Sequence, residues 1–173
     1  MTQGEPENPI SKELKLLHDV DQSERRGAAK FTPEELKTLE ARDAKRRGRV
    51  AEIVSHGLLC SGDDYYHAAL ILQHSGKPDD HLLAHVLATI AVFKGREGDK
   101  WLVASSLDRF LQSLGRPQIF GTQYKRTTDD PNVTQEPYER SLHDQFRREY
   151  GIPTLAEQER VLAETNNCKS ESQ

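Results

Sequence analysis

The sequence predicts an all-α domain, either a compact bundle or a layer of helical hairpins, that carries one long ordered loop. Apolar residues recur at three- and four-residue spacing in most segments, and no segment alternates strictly as a half-buried strand does. Glycine and proline separate the periodic segments, which is typical of short helices joined by tight turns. A length of 173 residues is sufficient for one such domain with its own core.

Seven helices are predicted along the chain. The second opens at Thr32-Pro33, a capping hydroxyl followed by a proline suited to the first turn. Asp63 or Asp64 is expected to cap the third. Between the fifth and sixth helices, residues 116–134 predict a long ordered loop with a short extended piece at Gln118–Tyr124. The seven helices are expected at about 10–26, 33–56, 64–75, 78–93, 99–114, 136–150 and 154–164.

The two ends of the chain, residues 1–9 and 165–173, are polar and show no periodicity, so we expect them to be disordered around a single domain at 10–164. No apolar run approaches the ~20 residues of a membrane span. The polar, acidic start is unlike a signal peptide, which predicts a cytoplasmic protein. Cys60 and Cys168 have no metal or redox spacing and are interpreted as reduced thiols.

The charge balance argues against a protein that binds nucleic acid as a whole, because the net charge is −4. A basic run does occur at Lys45-Arg46-Arg47-Gly48-Arg49. Its helix also carries five acidic residues and no interleaved aromatic residue, so we interpret the run as part of a solvated face of mixed charge.

The third helix places imidazoles on a face that is otherwise apolar. His67, Leu70, Ile71 and His74 have the spacing i, i+3, i+4, i+7, and Gln73 lies beside His74. His74 is a candidate general acid or base, and His67 is a second catalytic candidate. The alternative is that each imidazole is a hydrogen-bonded core residue, which is the more common fate of an inward-facing histidine.

The fifth helix and the loop after it add a second polar group. Asp108 lies on the stripe of Trp101, Ala104 and Leu111, where a carboxylate is costly unless it is paired. We expect Asp108 to orient or charge-balance His74 and the adjacent Arg109 to hold an anionic group. The other candidate ligand-binding residues are Gln73, Gln118, Thr122 and Gln123. The alternative is a structural link between Asp108-Arg109 and the loop.

A metal site is a separate hypothesis. His81 and His85 have the i, i+4 spacing that can chelate one ion, but the glutamate of a zinc peptidase motif is absent after the first histidine. His67 and His74 are about 10 Å apart along the helix axis, too far to share an ion. We therefore predict no cofactor and assign no metal ligand, and elemental analysis of the purified protein would decide the divalent-metal alternative.

The ordered pattern of these polar residues resembles a bacterial family of domains of unknown function. The recurring marks are Gln73-His74, Asp108-Arg109 and the segment Gly115-Arg116-Pro117-Gln118 followed by Gly121-Thr122-Gln123, over roughly residues 12–155. The resemblance implies positions rather than a reaction. It adds Asp21, Gln22 and Arg25 of the first helix to the candidate site, and Asp43 is a further residue of the pattern. Ser75-Gly76 departs from the family pattern, in which Ala-Asp is common after the histidine.

Two functions follow as expectations. The first is a site for a small polar molecule, with a hydrolase-type reaction as one possibility, in which water is the nucleophile because no serine or cysteine nucleophile is evident. The second is a helical-repeat interaction module in which the polar cluster is structural. The sequence leaves open whether the protein is an enzyme, and it leaves the oligomeric state open.

Overall fold

The computed structural model describes residues 8–26, 31–125 and 132–170, with side chains to residue 167. It confirms the prediction of an all-α fold. A 3₁₀ turn at Glu97–Asp99 precedes the fifth helix, and a two-stranded antiparallel pair, β1 (Tyr124–Lys125) and β2 (Thr134–Gln135), follows it. The helices of the described ranges are α1 (Pro9–Arg25), α2 (Pro33–Ser55), α3 (Gly62–Leu72), α4 (Pro78–Phe93), α5 (Lys100–Ser113), α6 (Asp144–Glu149) and α7 (Leu155–Ser170).

Side-chain caps determine where the first three helices begin. Asn8 accepts a hydrogen bond from the backbone of Ile10 at the start of α1. Thr32 forms a reciprocal capping box with Glu35 at the start of α2, as the sequence predicts for that cap. Ser61, rather than an aspartate, caps α3, and Asp64 completes its capping box. The helix therefore starts two residues earlier than expected, because Asp64 is the third helical residue and not the cap.

The main core lies between α3, α4 and α5, which pack as consecutive antiparallel hairpins, with α1 and α2 against α3. Its centre consists of the apolar stripe of α3 together with small residues of α4. Alanine at 84 and 88 lets α4 approach its neighbours closely, because such side chains fill little space. The buried members are Leu14, Val50, Ile53, Ala68, Ala69, Leu70, Ile71, Leu72, Ala84, Leu87, Ala88, Leu102 and Val103.

A second, smaller core of Ala104, Phe120 and Ile152 lies under the long loop. Arg147, fully buried, holds this region by donating to the carbonyl oxygens of Ile119, Glu139 and Leu142. A guanidinium can satisfy several backbone acceptors at once, which explains a buried charge in a region with few apolar residues.

The sixth helix departs most from its predicted bounds of 136–150. Residues 134–139 instead pair with the loop: the backbone N–H of Gln118 donates to Pro137, and that of Glu139 donates to Gln118. These bonds use backbone groups that a helix would need, so α6 begins only at Asp144, capped by His143.

The chain ends also differ from expectation. The last helix continues to Ser170, so residues 165–170 belong to α7 rather than to the predicted disordered tail. Residues 1–7 and 171–173, the rest of the predicted disordered ends, lie outside the described residues, as do residues 126–131 of the predicted loop and the side chain of Cys168. Within the described ranges, no helix combines the length and apolar character needed to cross a bilayer.

Candidate functional site

Most of the predicted site residues belong to two separate groups in the structure. The first group, which we call the charge cluster, joins Asp21 and Arg25 of α1, Asp43 and Arg46 of α2, and His74 directly after α3. The second group, which we call the loop cluster, joins Asp108 of α5 to residues 118–123. The structure therefore gives two polar centres where the sequence predicts one.

Asp21 is the centre of the charge cluster and is 1% exposed. Its Oδ2 accepts hydrogen bonds from Nε2 of Gln22 at 2.8 Å and from Nε of Arg25 at 3.1 Å, and its Oδ1 accepts one from Nη2 of Arg25 at 3.0 Å. Burial alone raises the pKa of Asp21, but the contacts with His74 and Arg25 outweigh it and hold the pKa well below its usual range. Asp21 is therefore a carboxylate at neutral pH.

Arg25 and Arg46 connect this carboxylate to α2. Nη2 of Arg25 lies 2.7 Å from Oδ2 of Asp43, and Arg46 pairs with the other oxygen of Asp43 and, at 2.7 Å, with Glu24. Arg46 is only 6% exposed, so these carboxylates, rather than water, stabilise its positive charge. The network fixes the C-terminal end of α1 against the middle of α2 and holds Asp21 in place.

His74 faces Asp21 from the end of α3. Its Nε2 lies 3.4 Å from Oδ2 of Asp21, an ion-pair separation longer than a typical N–H···O bond. Arg47 approaches the carbonyl oxygen of His74 at 3.5 Å. Burial lowers the pKa of His74, Asp21 opposes this, and Arg25 and Arg109 add to the lowering. The net shift is downward, so the imidazole is neutral at pH 7 and able to accept a proton.

Gln73 and Arg109 lie at the same end of the molecule as His74. Gln73 is 5% exposed, and its Oε1 is buried with no hydrogen-bond partner among the described residues. The Nε of Arg109 is likewise buried without a partner. Burial lowers the pKa of Arg109, and the positive charge of Arg25 lowers it further. These groups are polar, largely desolvated and unsatisfied by the protein itself.

Asp108 does not orient His74, contrary to the prediction. Its Oδ1 accepts from the backbone N–H groups of Ile119 and Phe120, and its Oδ2 accepts from the N–H and hydroxyl of Thr122. No hydrogen bond or ion pair joins Asp108 to His74 in the described part of the chain. A carboxylate whose two oxygens are occupied in this way anchors a loop, and the partner of His74 is Asp21.

The remaining loop residues bond to one another rather than forming a ligand surface. The side-chain amide of Gln118, fully buried, accepts from the backbone of Gln123 and donates to the carbonyl oxygens of Gln123 and Glu136. The amide nitrogen of Gln123 donates to the hydroxyl of Thr122. The structural alternative for Asp108, Gln118, Thr122 and Gln123 therefore agrees with their contacts better than the ligand-binding one does.

His67 lies apart from His74 on α3. Its ring is 4.5 Å from the ring of His18 of α1, centroid to centroid, and contacts the edge of Tyr66. Burial and the neighbouring His18 lower the pKa of His67. The structure thus places His67 in a helix–helix contact, and no described contact connects it with the charge cluster.

The two histidines considered as metal ligands face different backbone carbonyls. Nε2 of His81 lies 2.6 Å from the carbonyl oxygen of Ser75, and Nδ1 of His85 lies 2.9 Å from that of Val103. These contacts occupy one nitrogen of each ring. Among the described residues, no group of three or more histidine, cysteine or acidic side chains could hold a metal.

Sequence reasoning missed Arg46 and Arg47 as members of the cluster. Both belong to the basic run that the sequence assigns to a solvated face, yet Arg46 is buried and Arg47 contacts His74. The spacing i, i+3 of Asp43 and Arg46 is the one signal that points to a pair. It does not distinguish a buried pair from an exposed one, because exposed helix faces carry the same spacing.

Comparisons with known proteins were made by sequence and by structure. No family model, curated protein or solved structure matches the chain. The resemblance to a bacterial family of domains of unknown function stays a prediction. The chemistry of the site must therefore be argued from its geometry.

The charge cluster has the parts of an acid–base site. A neutral imidazole faces a buried carboxylate, and a carboxylate in this position stabilises the imidazolium that forms when the ring takes a proton. The side chain of His74 is 17% exposed, so the ring reaches the protein surface. With Nε2 turned toward Asp21, Nδ1 is the ring nitrogen that remains for a ligand or a water molecule.

Proposed function

We propose that this domain binds a small polar molecule at the charge cluster and that His74, paired with Asp21, acts there as a general base. The observation that carries the proposal is the contact between the neutral His74 ring and the ionised, fully buried Asp21. A hydrolytic reaction suits this pair. Nδ1 of His74 takes a proton from water as the water oxygen attacks the substrate, and the proton then passes to the leaving group.

The rest of the cluster supports this role by holding the pair in position. Gln22 and Arg25 occupy the oxygens of Asp21, so the carboxylate cannot rotate away from the imidazole without losing their hydrogen bonds. Arg46 and Asp43 fix Arg25 in turn. A preorganised site of this kind needs little rearrangement when charge develops on the ring.

A thermal-shift screen of the protein against a metabolite library tests the proposal. Compounds that raise the melting temperature are expected to lose their effect in His74→Ala and to keep it in His56→Ala, which removes an exposed histidine. For a compound that is also turned over, kcat is expected to fall about 100-fold or more in His74→Ala. Asp21→Asn is expected to lower kcat in the same direction.

The alternative function is an interaction module, and one observation favours it. Leu82, Val86 and Phe93 form an exposed apolar stripe on α4, with Phe93 85% exposed. Under this alternative the charge cluster is structural, so His74→Gln lowers the melting temperature while no compound depends on His74. A screen in which every stabilising compound acts equally on the wild type and on folded His74→Gln would reject the proposed site and favour the module.

A further inference from the structure

The charge cluster and the charged residues next to it contain more positive charge than their carboxylates neutralise. Three carboxylates, Asp21, Glu24 and Asp43, share ion pairs with three guanidinium groups, those of Arg25, Arg42 and Arg46. These charges balance. Arg47 and Arg109 are two further guanidinium groups beside His74, and neither forms an ion pair with a carboxylate among the residues that the structure describes.

Arg109 is the more informative of the two because it is largely buried. A desolvated guanidinium ordinarily has a carboxylate partner, since an unpaired buried charge is costly. Arg109 instead lies near Arg25 and His74, where the neighbouring positive charge adds to the penalty and the pKa of Arg109 is lowered. No ion pair among the described residues offsets this cost, whereas an anion between Arg109 and Arg25 would.

A second, independent observation concerns Gln73. Gln73 is only 5% exposed, and its Oε1 accepts no hydrogen bond from the described residues. A buried acceptor without a donor costs about 1–3 kcal/mol. A ligand that carries an O–H or N–H group would satisfy it. Gln73 directly precedes His74, and Arg109 lies near His74, so one ligand that carries both an anion and a donor is able to satisfy both groups.

We propose that Arg109, with Arg25 and Gln73, forms a binding site for the oxyanion of the ligand, a phosphate or carboxylate group carried next to a hydrogen-bond donor. The planar fork of a guanidinium matches both anions. This inference rests on the location of the proposed function but not on its chemistry. It predicts that a simple oxyanion binds even where no reaction occurs.

The test is a titration of the ¹⁵N-labelled full chain with inorganic phosphate and, separately, with acetate, each at constant ionic strength maintained with chloride. We expect the Nε–H signal of Arg109 to shift saturably with at least one of the two anions. Tighter binding of phosphate assigns a phosphoryl group to the ligand, and tighter binding of acetate assigns a carboxylate. A signal that moves with neither anion overturns the proposal.

Two variants show whether the site is specific. Arg109→Gln is expected to weaken anion binding about tenfold or more, since a charge-assisted hydrogen bond is lost. Arg148→Gln, which removes an exposed guanidinium of α6, is expected to leave it unchanged. Equal weakening in both variants, or none in Arg109→Gln, would show general attraction to positive charge and would refute the site.

The melting temperature of Arg109→Gln, measured without anion, distinguishes a binding role of Arg109 from a structural one, because the two roles predict changes of opposite sign. Removing an uncompensated buried charge is expected to raise it in Arg109→Gln, whereas loss of a structural arginine lowers it. If Arg109→Gln lowers the melting temperature, Arg109 is a structural residue and the proposal is wrong. If the anion binds but no His74-dependent reaction occurs, the anion site stands and the proposed chemistry is rejected. If a His74-dependent reaction occurs but no anion binds at Arg109, the proposed chemistry stands and the anion site is rejected.

Discussion

Two fully buried aspartates show how the partners of a residue determine its role. Asp108 accepts only from neutral donors of one loop, and Asp21 contacts two guanidinium groups and an imidazole. Neutral backbone donors make a carboxylate an anchor for the chain. Two guanidinium partners and an imidazole that can take up a proton make it part of an acid–base pair. From the sequence, Asp108 is a candidate because it lies on an apolar helix stripe, whereas Asp21 is a candidate only through the family resemblance.

Asp108→Asn is predicted to destabilise the protein without changing the ligand response. An asparagine has one acceptor oxygen and an amide that cannot accept, so at least one backbone N–H of the loop loses its partner. The free energy of unfolding is expected to fall by about 3 kcal/mol in urea denaturation. Asp79→Asn, at an exposed position, should lose less than about 1 kcal/mol. An Asp108→Asn protein as stable as the wild type would contradict the anchor role.

The loop after α5 depends on one residue with a positive φ angle, a backbone conformation that no residue within the described helices adopts. Gly121 has φ +79°, and a Cβ there would lie 2.6 Å from Oε1 of Gln158 and 2.7 Å from Nε2 of Gln135. Gln135 donates to the carbonyl oxygen of Gly121, and Gln158 donates to that of Phe120, so α7 and β2 both close on this turn. The close approach connects the loop to the last helix.

Gly121→Ala and Gly48→Ala are therefore predicted to have opposite effects. At Gly121 the positive φ and the two close amides are expected to cost about 1–3 kcal/mol of unfolding free energy. At Gly48, inside α2, a Cβ meets nothing within 4 Å, and alanine should stabilise the helix by about 1 kcal/mol. Urea denaturation of the two variants measures both effects. A Gly121→Ala variant that unfolds like the wild type would show that the turn can rearrange.

At the scale of the whole molecule, short helices are joined through buried histidines. His67 packs between α1 and α3, His74 lies against α1, and His81 connects α4 to the end of the third helix through Ser75. Burial is the main reason why the pKa of each is lowered below its ordinary value of 6.5. Folding therefore favours the neutral form of all three.

The stability of the whole domain is accordingly predicted to fall as the pH is lowered. Below about pH 6.5 the unfolded chain binds protons that the folded histidines do not yet bind, so unfolding becomes more favourable. Urea denaturation at pH 7.5 and pH 5 is expected to show the smaller free energy of unfolding at pH 5. Asp21 acts in the same direction but adds little in that window, because the lowered pKa of a carboxylate reduces stability only at more acidic pH values.

Two histidine variants provide the control for this pH dependence. His67→Phe keeps a ring between His18 and Tyr66 but removes the titrating group, so it is expected to reduce the difference between pH 7.5 and pH 5. His56→Gln, at an exposed position, should leave the difference unchanged. Greater stability at pH 5 than at pH 7.5 would mean that the buried imidazoles gain rather than lose on protonation.

The fold class, the bounds of most helices and many of the buried polar residues are predictable from the amino-acid sequence. These features follow from local periodicity, caps and turn residues, which act over a few positions. The bounds of α4, Pro78–Phe93, are those predicted, because proline starts it and glycine follows its end. The spacing placed His74 and Asp108 on apolar stripes, where polar groups need partners, with Gln73 and Arg109 beside them. Asp21 became a candidate only through the family resemblance.

The pairing of the polar groups, by contrast, becomes visible only in the folded structure. Asp108 and Arg109 are adjacent in sequence, yet successive residues point about 100° apart around a helix, so the carboxylate joins the loop and the guanidinium lies on the side of Arg25 and His74. The contact of Asp21 with His74 joins residues 53 positions apart, and the buried pair of Asp43 and Arg46 depends on how α1 packs on α2. Such pairings arise from the packing of whole helices, which local spacing does not specify.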